Sequence, residues 1–78
     1  MKTKRAWFIY KAIKDGNVVM KDIVNYVKNN MDMYVSDVYL RYIANCLEIK
    51  GYIKSKKVGR GNEWYIMKEV NNQVEIKL

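Results

Sequence analysis

Residues 36–68 read SDVYLRYIANCLEIKGYIKSKKVGRGNEWYIMK, and the order of signals in this stretch decides the fold. Ser36 is a good helix N-cap, Asp37 suits the positive end of the helix dipole, and Val35 is placed to staple onto Leu40. Apolar residues then recur at Leu40, Ile43, Ala44 and Leu47, the single buried stripe of an amphipathic helix. Gly51 stops that helix, and after it the apolar period changes from helical to two. Tyr52–Val58 and Glu63–Val70 are rich in β-branched and aromatic residues, with Gly59-Arg60-Gly61-Asn62 between them. This spacing predicts a β-hairpin over residues 52–70.

Two more segments upstream carry the helical period, Ala6/Ile9/Tyr10/Ile13 and Met20/Ile23/Val24/Val27. The first helix is expected over about residues 3–15, capped by Thr3 and stopped at Asp15-Gly16. The second is expected over about 21–29, ended by Asn29 and Asn30 because Asn tolerates positive φ. The third spans about 36–50. The short pair Val18-Val19 between the first two could join the sheet at its edge. Downstream, the Asn71-Asn72 turn signal and the alternating Val74-Glu75-Ile76-Lys77-Leu78 predict an extra antiparallel strand over 74–78. The expected architecture is one α+β domain over residues 1–78, with three helices, a hairpin and this C-terminal strand.

Seventy-eight residues with half of them hydrophobic can bury one core but leave little room for a catalytic cleft. Fifteen Lys and Arg against eight Asp and Glu give a net charge of +7, which points to an anionic partner. Nucleic acid is the commonest such partner; an acidic membrane surface or an acidic protein is the alternative. The chain has no histidine and one cysteine, Cys46. A Cys/His zinc site, a His-based triad and an internal disulfide therefore cannot be built within one chain. No cofactor is implied. The apolar run Ala6–Tyr10 is too short for a membrane span, so a cytoplasmic, nucleoid-associated protein is expected, with no membrane partner. Cys46 reads as a small core filler rather than a redox sensor. An enzyme is not expected: Gly59-Arg60-Gly61 lacks the context of a phosphate-binding loop, and no paired-carboxylate motif appears.

The run Leu47-Glu48-Ile49-Lys50-Gly51-Tyr52-Ile53 resembles the leucine-glutamate-x-lysine-glycine-leucine-isoleucine join between recognition helix and wing in winged helix-turn-helix domains. These domains occur in small transcriptional regulators of bacterial, archaeal and viral type. The resemblance covers roughly residues 6 to 68, by order of elements. It implies that the third helix enters the major groove of duplex DNA and that the hairpin wing lies on the backbone or in the minor groove. Two features depart from the family: Met20 stands near the position where Thr or Ser often caps the second helix, and Asn30–Val35 makes a longer turn.

On a helical wheel the face of the third helix opposite its buried stripe carries Val38, Arg41, Tyr42 and Asn45, with Tyr39 on its flank and Cys46 beside them. Arg can bond bidentately to guanine, Asn to adenine, and Val38 can meet a thymine methyl. Those five residues (Val38, Tyr39, Arg41, Tyr42 and Asn45) form the candidate base-reading set, covering roughly three base pairs. A solvated polar face is the alternative, against which stand an outward Val and two Tyr. Lys50, Lys54, Lys56, Lys57 and Arg60 are the candidate backbone contacts, with no acid between Lys50 and Asn62. Arg60, flanked by glycines, could instead enter a minor groove, and the lysines could simply protect an edge strand. Lys2, Lys4 and Arg5 either touch phosphates or form a solvated basic end.

Sequence-specific binding of double-stranded DNA, as a transcriptional regulator, is the leading expectation. A winged-helix protein-interaction module within a larger nucleic-acid-handling assembly is the alternative, and the charge favours DNA. Because one such domain covers about one half-site, a homodimer is expected, built from Trp7 and Phe8 of the first helix and Val74, Ile76 and Leu78 of the tail strand. A monomer results if the tail covers those aromatics within one chain.

Overall fold

The computed structural model describes residues 2–31 and 34–78. The interior of the expected long turn between the second and third helices, residues 32 and 33, lies outside the described residues, as does the side chain of Lys2. The fold is a small α+β arrangement: α1 (Lys2–Lys14), α2 (Met20–Asn30), α3 (Asp37–Ile49), then an antiparallel hairpin of β1 (Ile53–Val58) and β2 (Gly61–Ile66). A 3₁₀ turn, η1 (Gln73–Glu75), follows. Among the described residues no helix is long and apolar enough to cross a membrane.

The helical stripes meet in one core. Ala6, Ile9, Tyr10 and Ile13 of α1, Ile23, Val24 and Val27 of α2, and Leu40, Ile43, Ala44 and Leu47 of α3 are all buried. Each large apolar side chain among them contributes about 1.5–3 kcal/mol on burial. Ile53 of β1 and Trp64 of β2 close the open side of this three-helix layer.

Both ends of α3 follow their sequence signals. The Ser36 hydroxyl accepts the Tyr39 N–H at 3.0 Å. At the other end Gly51 takes φ +86. The Gly51 N–H then reaches the Glu48 carbonyl, and the Tyr52 N–H reaches back to that of Leu47, both at 3.0 Å. This pair of bonds satisfies the last helical carbonyls and needs a left-handed residue where Gly51 stands. It also turns Tyr52 and Ile53 into the core.

Four expectations change. Lys2 already has helical backbone, so Thr3 lies inside the first turn of α1 and is not its cap. Asn29 and Asn30 both remain helical, and α2 ends at Met31 with an extended φ of −113. No non-glycine residue among those described has positive φ; the Asn30 carboxamide donates to the Tyr26 carbonyl instead. The hairpin is tighter than expected. Val58 pairs with Gly61, leaving Gly59-Arg60 as a two-residue turn, with Gly59 at φ +59 and Arg60 at negative φ. A turn with a left-handed first residue matches the strand twist, and glycine supplies it.

The fourth change is the tail. No strand forms over 74–78, where Gln73–Glu75 make a 3₁₀ turn, and backbone groups on both edges of the hairpin have partners elsewhere. The Trp64 N–H of β2 bonds the Val18 carbonyl at 2.8 Å and Val19 bridges to Glu63, so the expected Val18–Val19 edge pairing is present. On the outer edge of β1, the Ser55 N–H is held by the Glu48 carboxylate at 2.8 Å. The C-terminal segment is fastened by two tyrosine hydroxyls instead. Tyr10 donates to the Lys68 carbonyl (2.7 Å) and accepts the Val70 N–H (2.9 Å). Tyr52 donates to the Glu75 carbonyl (3.2 Å) and accepts the Lys77 N–H (2.9 Å).

Candidate nucleic-acid interface

The outward face of α3 divides along its length. Arg41 and Asn45, one turn apart, lie on the side nearer the hairpin. Val38 stands at the crest and is 78% exposed. Tyr39 and Tyr42 lie on the side toward α1; their rings stack at 6.0 Å, and the Arg5 guanidinium sits 5.3 Å over the Tyr39 ring. Tyr39 is thus tied to α1, and Arg5 shares the surface of α3. Cys46 is half-buried beside them.

Strand register sorts the hairpin residues by face. Ile53 pairs with Ile66, Ser55 with Trp64 and Lys57 with Asn62. Because directly opposed residues project from the same face, Ser55, Lys57 and Asn62 share the inward face of buried Ile53 and Trp64. Lys54 and Lys56 project from the other face, opposite Tyr65 and Glu63. The five cations expected to act together therefore do not share one surface. Lys50 is the C-cap of α3 and is exposed.

Between α3 and the hairpin runs a groove of about 470 Å³. Arg41 and Asn45 line it from α3, and Arg60 and Asn62 line it from the hairpin. Val19 and Met20, where the chain enters α2, line it together with the edge of Trp64. Arg60, at the tip of the two-residue turn, lines this groove together with the α3 residues. The lining contains no acidic side chain. The acids of α3 and the hairpin are engaged with other groups: Asp37 pairs with Lys28 at 2.6 Å, Glu48 holds Ser55, and Glu63 accepts from the Tyr65 hydroxyl on the outer face. Those contacts raise the pKa of Lys28 and of Tyr65, in each case chiefly through the hydrogen bond to the carboxylate. Among the described residues neither Arg41 nor Arg60 has a carboxylate partner.

Comparison with protein-family profiles, with curated proteins and with solved structures gives no match for this chain.

The surface inferred for pairing two copies is largely used inside the protomer. Ile76 is buried, and Trp7, Phe8 and Leu78 pack half-buried against the core. Trp7 also stacks on Tyr10 at 6.0 Å, and the Lys11 ammonium covers both Trp7 and Phe8. Val74, 73% exposed, is the one residue of that set left on the surface. The exposed Phe8 and alternating tail strand on which the dimer expectation was built are not formed, since the tail is held by Tyr10 and Tyr52 rather than by a ladder.

Sequence reasoning missed the contribution of Val19, Met20 and Asn62 to the groove. Its signal lay in the pairing of Val18–Val19 with the strand, which brings the entry of α2 beside the turn. The role of Glu48 was also missed, although its position four residues before the hairpin-starting Tyr52 puts a carboxylate within reach of β1.

Proposed function

We propose that this chain is a winged helix-turn-helix protein that binds double-stranded DNA sequence-specifically and serves as a transcriptional regulator. The observation that carries this reading is the acid-free groove in which Arg41 and Asn45 of α3 meet Arg60 and Asn62 of the hairpin. A helix that presents Val38 at its crest, with Asn45 and Tyr42 on either side of it, fits a major groove, where an Asn can bond adenine and a Val can meet a thymine methyl. Arg60 and Lys57 flank that helix on the groove side, where cations can reach the adjoining backbone. The charge of +7 supplies the long-range attraction.

Fluorescence anisotropy with random duplex DNA at several salt concentrations tests the reading. If four to six phosphates are neutralised, log K falls with log salt at a slope of roughly −4 to −5. Binding that is undetectable at low salt, or a slope near zero, would refute it.

A further inference from the structure

Arg41 and Arg60 come from different elements, 19 positions apart in sequence, yet they line one groove, and neither has a carboxylate partner among the described residues. Two arginines lining one groove with no carboxylate in the lining make it a positive site that suits an anion. The remaining lining suits a group larger than a bare ion. Val19, Met20 and Trp64 offer an apolar wall, Asn62 offers a carboxamide, and about 470 Å³ lies within the range of small-molecule sites. We infer that the groove grips one sugar–phosphate unit of the DNA backbone, with Arg41 and Arg60 sharing its phosphate and the deoxyribose against Val19 and Met20.

This assignment rests on the DNA-binding reading and deepens it. Arg41, whose position on the helix suits guanine recognition, becomes a phosphate ligand, and base discrimination passes to Val38, Tyr42 and Asn45. Arg60 holds the backbone from the hairpin tip and does not enter a minor groove. The planar fork of each guanidinium can offer two parallel N–H donors to phosphate oxygens, a geometry that lysine lacks. Holding one phosphate from two elements also fixes how deep the helix sits, because the clamp sets the distance from strand backbone to helix axis.

The test has two arms. In the first, a duplex selected from a random pool for tight binding carries single charge-neutral methylphosphonates at successive positions. Wild type, Arg41→Ala, Arg60→Ala and the double variant are titrated by anisotropy, with circular dichroism to confirm folding. One position is expected at which neutralisation weakens wild type by about tenfold to a hundredfold, weakens each single variant less, and leaves the double variant unaffected. The loss in the double variant should fall short of the product of the two single losses, and Arg41→Lys should recover little. Losses that multiply and map to different phosphates would overturn the clamp, as would an Arg41→Ala loss confined to the preferred sequence.

In the second arm, dimethyl phosphate is added to the free protein and the arginine Nε–H resonances are followed by NMR. Those of Arg41 and Arg60 should shift together, and Arg41→Ala should abolish the response of Arg60. Joint shifts without any duplex binding would retain a two-arginine phosphate site but sink the DNA reading and with it the sugar–phosphate occupant. Duplex binding without a shared phosphate would sink the clamp alone.

Discussion

Replacing Tyr10 by Phe removes one oxygen and nothing else, yet that oxygen joins α1 to the C-terminal segment twice. The hydroxyl donates to the Lys68 carbonyl at 2.7 Å and accepts the Val70 N–H at 2.9 Å, and both Tyr10 and Val70 are buried. Two net hydrogen bonds contribute roughly 1 kcal/mol each, and the orphaned Val70 N–H adds part of its desolvation cost, giving about 2–3 kcal/mol in total. For a domain of this size that is a fall in Tm of roughly 10–20 °C. Urea denaturation followed by circular dichroism measures the loss, and amide exchange at Val70 should accelerate in the variant. Tyr52→Phe is the internal control. Its hydroxyl makes the matching pair of bonds to Glu75 and Lys77, but nearer the exposed end, where water can replace it. Its loss should be about 1 kcal/mol or less. DNA affinity and its salt slope should not move in either variant. A Tyr10→Phe protein within about 0.5 kcal/mol of wild type, with Val70 exchanging as before, would refute the view that tyrosine hydroxyls stand in for a third strand.

Lys57→Ala should reduce the salt slope by about 1, because Lys57 shares the inward hairpin face with Asn62; Lys54→Ala and Lys56→Ala, on the opposite face, should change it far less. Equal slopes for all three, by anisotropy, would remove strand register from the account. Asn45→Ala should cost about 1–3 kcal/mol on the preferred sequence and much less on random duplex, measured by competition titration. Glu48→Ala frees the Ser55 N–H and hydroxyl, held at 2.8 and 2.9 Å, and should lower unfolding free energy by about 1–2 kcal/mol. It should also narrow the gap between preferred and random DNA, since the hairpin would no longer be fixed to the end of α3.

Much of the helical layer was legible because its signals are local. Ser36 caps, Gly51 reverses the chain, and the stripes of α1 and α3 are buried at every expected position. The tail was misread because alternation at Val74, Ile76 and Leu78 is a statement about which residues prefer burial, not about which backbone groups are free to pair. Only Ile76 enters the core fully. The competing partners, two tyrosine hydroxyls 58 and 23 or 25 positions away, have no local sequence signature. Arg41, Asn45, Arg60 and the hairpin lysines were legible as candidates, but their grouping was not. Which cations share a surface depends on a two-residue turn and its register, and a shift of one residue sends every side chain to the other face.

The carboxylate that Glu48 lays along the outer edge of β1 has a consequence for crowding. A protein drawn to a polyanion accumulates along it, and neighbouring copies then meet at local concentrations far above that of the bulk solution. An unpaired strand edge under those conditions is a template on which another chain can add. Here the Ser55 N–H is taken and Lys54, Lys56 and Lys57 give the same strand three like charges, so a second β1 meets repulsion where it would need hydrogen bonds. If the proposed DNA binding holds, molecules packed side by side on one duplex are expected to stay separate and dissociate singly rather than seed a shared sheet.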